Sequence, residues 1–237
     1  MSFAAWPLTP AVKRFLIVNG AVWLVLVISV NWMDALALHD HLALTPQRVY
    51  PGLELWQLFT YMWLHSTADF SHILFNSLFL WMFGGALEQA WGTRAFTRFY
   101  LTCGIGAGLV VFVIGSLFHP DIATAGASGA IYGLVVAWAI VFPDRVIYFF
   151  GLFPIKGKYF ALFPIGYALV DFLMRGSGVS HSAHLGGLVI GALLVTGYWR
   201  PSRLYNRVRY MWLKRKLKVV EGGKNSRKSP PGGGYWH

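Results

Sequence analysis

The sequence predicts an all-α, polytopic membrane protein: a bundle of six transmembrane helices with a short fourth helix and an interfacial first outer loop. Two features of composition lead to this reading. Of 237 residues, 56% are hydrophobic and only 12% are charged, whereas a soluble domain carries about 25% charged residues. Mean hydropathy is correspondingly high, at +0.53. The third observation is that the apolar residues fall into six runs, near 15–33, 70–90, 96–118, 128–142, 159–174 and 180–199. Most of these approach the ~20 residues needed to cross a hydrocarbon core. They leave no room for a soluble domain, so 1–199 is predicted to be one transmembrane domain and 200–237 a basic cytoplasmic tail, partly disordered.

The first run follows Lys13 and Arg14 and precedes Ala35-Leu36-Ala37, a sequence like a signal-peptidase site. Its apolar stretch, about 19 residues, is longer than the 7–15 of a signal peptide, so a retained helix is predicted. Orientation follows from the basic residues. With both termini cytoplasmic, the inner side receives Lys13, Arg14, Arg94, Arg98, Arg145, Lys156, Lys158 and the eleven of the tail. The outer side receives only Arg48 and Arg175, a strong positive-inside asymmetry. The expected location is a bacterial plasma (inner) membrane. The outer segment 34–69 contains Trp56, Phe59, Tyr61 and Trp63, too aromatic for a solvated linker, yet Glu54, Gln57 and His65 interrupt it. It is predicted to lie in the outer interface, where Trp and Tyr are favoured.

Polar side chains inside spans are candidates for function because they are costly there. The second, fourth and sixth runs all travel inward in this orientation, and each carries its polar cluster near its start. These clusters are His72 with Asn76, Gly126-Ala127-Ser128-Gly129, and His181 with His184. Orientation came from Lys and Arg alone, so their common depth is an independent coincidence. The fourth run is short: 15 steps from Ser128 to Pro143 cover about 22 Å against a core of roughly 30 Å. Ser128 therefore starts below the surface at a helix N-terminus, in a water-filled pocket, since irregular backbone at that depth must line a cavity or be buried in protein. Gly129, Gly133 and Ala137 form one small-residue stripe, and Ala183, Gly187 and Gly191 another. Such stripes let helices approach closely, which predicts that Ser128 and His184 come within reach.

These residue types suit nucleophilic catalysis. Ser128 is the candidate nucleophile and His184 the base that takes its proton and returns it to a leaving amine. His72 and Asn76, four residues apart on one helical face, are candidate oxyanion donors together with the Ser128 N–H. Tyr132, one turn further along, can pack on the imidazole. Asp171 is the nearest acid for a third member, though it also suits an interface position. His181 fits either the cluster or the interface, and His65 and Asp69 read as solvated or structural residues.

These residues resemble the rhomboid intramembrane serine proteases. The resemblance covers Gly126-Ala127-Ser128-Gly129 with Tyr132 and Gly133, Ala183-His184-x-x-Gly187-x-x-x-Gly191, His72-x-x-x-Asn76, Glu88-x-x-x-Gly92, and Trp56 with Thr60. Order and spacing agree over about 42–199. The resemblance implies a rhomboid-like bundle with a Ser-His dyad that cleaves transmembrane-helix protein substrates near their outer ends, with the active site close to the outer face. It also implies that the fifth helix and the cap loop, here 174–182, gate substrate entry. One departure is Trp56-Gln57 where many members have Trp-Arg, which puts the anchoring of the outer loop in question without touching the dyad. Two other classes fit these residues less well: a catalytically inactive rhomboid-like binder of transmembrane helices, and a small membrane transporter, which would need internal repeats or a midplane ion site.

Several features have plainer explanations. Gly104, Gly106 and Gly108 sit in an apolar run rather than after a strand, so helix packing accounts for them better than nucleotide binding. Glu88, near the inner end of its helix, is expected to bond the following turn. No HExxH occurs, so neither a metal nor a cofactor is expected. The single cysteine, Cys103, excludes an intrachain disulfide and a Cys-based zinc cluster. The net charge of +11 is largely the tail, which holds 11 of the 20 basic residues and one acid, Glu221. Within 203–220, Leu204, Val208, Met211 and Trp212 share a face among seven basic residues. That pattern suits a surface helix drawn to anionic membrane lipids, with a solvated stretch as the alternative. Nucleic acid is not expected as a partner, because the tail is pinned to a bilayer.

Overall fold

The computed structural model of the chain describes residues 6–33, 36–149, 153–173, 180–197, 205 and 209–210. The residues up to Gly197 form one compact unit. The surface helix expected at 203–220 and the stretch after it lie almost wholly outside the described residues, as does most of the expected cap loop.

The first run forms α1 (Pro10–Met33). The outer segment folds into α2 (Leu36–Leu42), α3 (Pro46–Val49) and α4 (Gln57–Thr60), followed by a 3-10 turn at Tyr61–Trp63. The second spanning helix is α5 (Phe70–Phe79), which passes through a wide π turn at Leu80–Gly84 into α6 (Gly85–Trp91). Then come α7 (Thr93–Phe118) and α8 (Ser128–Val141). A hairpin of β1 (Val146–Phe149) and β2 (Phe153–Lys156) leads to α9 (Gly157–Phe160), α10 (Leu162–Leu173) and α11 (Ser180–Thr196). Among the described residues, three helical stretches are long and apolar enough to cross a membrane: Pro10–Val30, Phe70–Trp91 and Thr93–Phe118. The 14 residues of α8 span only about 20 Å, in keeping with a start below the surface.

Two features depart from the sequence reading. The stretch after α8, to which the sequence reading assigned no regular structure, is an antiparallel hairpin that pairs Ile147 with Ile155. Ile147 is buried and Ile155 packs on the core, so the β-branched pair turns inward and holds the hairpin to the bundle. The outer segment is only partly interfacial. Leu53, Leu55, Trp56 and Phe59 are exposed, but Tyr61, Met62, Leu64 and His65 are fully buried. Tyr61 and Met62 join the central cluster with Phe15, Phe96, Tyr100 and Cys103, so the end of the segment plunges into the bundle.

Glu88 does more than bond the next turn. Its carboxylate accepts from Thr93 Oγ1 at 2.7 Å, but also from Thr9 Oγ1 and from the N–H groups of Ala11 (2.9 Å) and Val12 (3.1 Å) at the start of α1. Helix N-termini leave such donors without intrahelical acceptors and favour negative charge. One buried side chain thus ties together the start of α1, the end of α6 and the start of α7.

The helix pair that carries Ser128 and His184 is α8 with α11. A Cβ built on Gly187 would overlap the carbonyl oxygen of Gly129, and one on Gly191 would lie 2.6 Å from Gly133 Cα. A Cβ built on Gly133 would lie 2.8 Å from the Cys103 sulfur and 3.1 Å from the Gly187 carbonyl oxygen. The two stripes therefore touch backbone to backbone. Gly187→Ala is expected to cost about 1–3 kcal/mol through overpacking, read as a lowered thermal midpoint in detergent. A midpoint equal to that of the unmodified protein would contradict this close contact.

Candidate active site

Ser128 is the first residue of α8, entered through Ala127 at φ −74° and Gly126 at φ +128°. Only glycine adopts the latter conformation without strain. The loop before it is clamped to the outer segment. Leu44 and Thr124 exchange two backbone bonds of 2.9 Å, and the Gly126 N–H donates to the Tyr61 carbonyl at 2.9 Å. Tyr61 is itself pinned by its hydroxyl, which donates to the Gly104 carbonyl at 2.6 Å.

Across the α8–α11 contact, His184 Nε2 lies 2.9 Å from Ser128 Oγ. Its ring stacks on Tyr132 with centroids 4.2 Å apart and planes 8° from parallel. That flat stack removes the ring's freedom to swing away from the serine. His184 Nδ1 is buried without a hydrogen-bond partner. The side chain of Asp171, on α10, lies outside the described residues. Ser128 and His184 are both half-buried, while Ala127 and Gly129 are buried beside them.

His72 and Asn76 lie on α5, whose N-terminus is capped by Asp69 accepting from the Ser71 N–H at 2.9 Å. Hydrogen bonds from Ser71 hold the Asp69 carboxyl below the usual range. The Ser66 N–H donates to His72 Nδ1 at 3.2 Å. A neutral imidazole has one N–H, so this bond puts the proton on Nε2. A Cβ built on Gly126 would sit 2.8 Å from His72 Nε2 and 3.8 Å from Ser128 Oγ. The space over Gly126 is therefore bounded by a hydrogen-bond donor and by the serine oxygen. Asn76 is buried and donates one amide N–H to the His72 carbonyl at 2.6 Å, leaving its second N–H uncommitted. At the start of α8, the N–H groups of Ser128 and its neighbours have no intrahelical acceptor.

His65, read from sequence as solvated or structural, is fully buried with its ring 5.2 Å from that of His72. His181 is half-buried one turn before His184. Among the described residues, no group of three or more His, Cys, Asp or Glu is placed to hold a metal. The outer loop is anchored despite Gln57. Its side chain is wholly buried, accepts from the Thr45 N–H at 2.9 Å and donates to Glu54 at 2.6 Å. Glu54 in turn pairs with Arg48 at 2.9 Å, so the guanidinium enters from α3. Trp56 and Thr60 donate to the carbonyls of His41 and Leu42, respectively. Sequence reasoning missed Ser66 and Tyr61, because both act on the site through backbone atoms and carry no side-chain signature.

These features define a class: a polytopic helical membrane protein with a serine and a histidine in contact at a buried helix N-terminus. The model of the Rhomboid domain matches residues 52–201, and the chain belongs to the rhomboid family. It is 34% identical over 164 residues to RHOMBOID-like protein 1 of Arabidopsis thaliana, covering 68% of this chain and 39% of that one. It is 30% identical over 137 residues to the mitochondrial Rhomboid protein 1 of Saccharomyces cerevisiae, covering 54% and 38%. Rhomboid protease AarA of Providencia stuartii is 31% identical over 158 residues, covering 60% and 56%. The chain therefore matches between about two fifths and just over half of the length of these relatives. At family level they support an intramembrane protease.

Gly126→Ala is expected to slow labelling of Ser128 by a serine-reactive fluorophosphonate roughly tenfold or more, because the methyl would fill the space between His72 Nε2 and Ser128 Oγ, where donors can reach a developing negative charge. Labelling at the unmodified rate would show that this space is not used.

Proposed function

We propose that the chain is an intramembrane serine endopeptidase that hydrolyses peptide bonds within or next to transmembrane segments of membrane-protein substrates. The observation that supports it best is the 2.9 Å contact between His184 Nε2 and Ser128 Oγ, with the imidazole stacked flat on Tyr132. As Ser128 Oγ attacks the scissile carbonyl carbon, its proton passes to His184 Nε2. The oxyanion forms over Gly126, where His72 Nε2–H, the second amide N–H of Asn76 and the Ser128 N–H are the donors. Collapse breaks the C–N bond, and the departing amine takes the proton from His184. Water then attacks the acyl-serine with His184 again acting as base, the acyl C–Oγ bond breaks, and Ser128 Oγ takes the proton back from His184. Gly126, Ala127 and Gly129 support the site by permitting the turn and the close helix approach.

The activity is assigned to the 1–199 domain, with 200–237 as a basic cytoplasmic tail that meets anionic lipid. The assignment of both termini to the cytoplasm and of the site to the outer face rests on the asymmetry of Lys and Arg, and the membrane we assign is a bacterial plasma membrane. The partners are transmembrane-helix substrates and lipids.

In proteoliposomes with a model transmembrane substrate, Ser128→Ala and His184→Ala are each expected to abolish cleavage. Cleavage that survives Ser128→Ala would sink the reading. Asn76→Ala should lower kcat by roughly a hundredfold, the usual effect of one oxyanion donor, with an unchanged thermal midpoint. A kcat equal to that of the unmodified enzyme would remove Asn76 from the oxyanion site.

A further inference from the structure

We propose that Trp23, on α1, is a positioning residue: by holding the backbone of Ser66 it keeps the proton of His72 on Nε2, the atom facing Gly126 and Ser128. The inference rests on the reading of His72 as an oxyanion donor.

The role of His72 depends on its tautomer. Only with Nε2 protonated can the neutral ring donate into the space over Gly126. What sets the tautomer is the Ser66 N–H, a backbone donor that cannot become an acceptor, 3.2 Å from Nδ1. That distance is at the long end of ordinary N–H hydrogen bonds. A drift of a few tenths of an ångström would weaken the bond and free the proton to move to Nδ1.

Ser66 lies between the 3-10 turn at Tyr61–Trp63 and α5, in a stretch without helix or strand. Regular backbone bonding therefore does not hold it. One of the contacts that hold it comes from α1, whose Trp23 indole N–H donates to the Ser66 carbonyl at 2.9 Å. A second is local: the Ser66 hydroxyl accepts from the Asp69 N–H at 3.0 Å. Leu26 of α1 and Leu64 belong to one buried apolar cluster, against which Val22 and Ala125, the residue before Gly126, also pack. The Trp23 ring also meets Phe70, two residues before His72, with centroids 5.6 Å apart. Trp23 stands about midway along α1, away from the helix ends where a tryptophan N–H meets headgroups. Here the N–H is committed to the carbonyl of Ser66, the same residue whose N–H faces His72, so α1 reaches the site without touching it.

The test replaces Trp23 in the full-length protein with β-(3-benzothienyl)alanine, which keeps the shape and puts sulfur where the N–H was, and separately makes Trp23→Phe. Two readouts are taken in nanodiscs. In protein labelled with 15N-histidine, unmodified His72 should show a protonated Nε2 and an unprotonated Nδ1. Both variants should shift the two signals towards each other. With a transmembrane substrate, kcat should fall about tenfold in both variants while KM stays within about twofold. This is short of the roughly 100-fold or more that follows deletion of an oxyanion donor.

Protonation of Nδ1 in the unmodified protein would overturn the proposal. So would an unchanged His72 spectrum in both variants, whatever happens to turnover, because lost packing alone would then explain any fall. An altered spectrum with unchanged kcat would overturn the catalytic consequence. If the unmodified protein does not cleave, the protease reading fails, and the histidine spectra alone decide whether Trp23 sets the tautomer.

Discussion

The close contact of α8 with α11 is the constraint on which the site depends. Between helices in lipid there is little hydrophobic drive, and association relies on packing and hydrogen bonding. Here the α-carbon of Gly187 lies directly against the backbone of Gly129, and Gly191 against Gly133. Backbone contact at that range tolerates no sliding, so the register of one helix on the other is fixed to a residue. Ser128 immediately precedes Gly129, and His184 is three residues before Gly187. The 2.9 Å separation of Oγ and Nε2 follows from the way two helices pack, with no adjustable loop between them. Tyr132 belongs to the same rigid body as Ser128, so its stack on the imidazole comes with the same register.

Polar groups close the bundle where helix ends would otherwise leave donors and acceptors unsatisfied in a medium of low dielectric. On the side away from the site, Glu88 gathers the N–H groups of α1 and the hydroxyls of Thr9 and Thr93. On the site's side, Gln57, Glu54 and Arg48 bind the outer segment to itself. The paired bonds of Leu44 with Thr124 and the bond from Gly126 to Tyr61 then fasten the loop before Ser128 to that segment. The π turn at Leu80–Gly84 lets one long helix present Asn76 to the site and Glu88 to the start of α1. Below the site, Phe83 packs against Trp138 and Phe160, tying the same helix to α8 and α9.

Much was legible in one dimension because it is written in local patterns. Apolar runs of bilayer length, the asymmetry of Lys and Arg, and small residues every four positions all express forces that act on short stretches of chain. They indicated the six-helix membrane fold and brought Ser128, His184, His72 and Asn76 to a common depth. The outer segment was less legible. Its aromatic residues divide between surface and core, and nothing in their spacing separates exposed Trp56 from buried Tyr61. The departure at Gln57 looked like a lost anchor because its replacement cation, Arg48, sits nine residues away and meets it only through Glu54.

The sequence by itself determined the solvent, the helical architecture and which side chains have chemistry to offer, since hydropathy, charge and side-chain type are properties of residues. Tertiary structure decided the rest. It decided which ring faces the serine, which nitrogen of His72 carries its proton, and which of the buried polar groups are bonded. The reason is physical: these outcomes depend on backbone atoms of remote segments. The Ser66 N–H, the Tyr61 carbonyl and the Gly129 carbonyl are groups that every residue carries, and only the folded chain selects which of them matter.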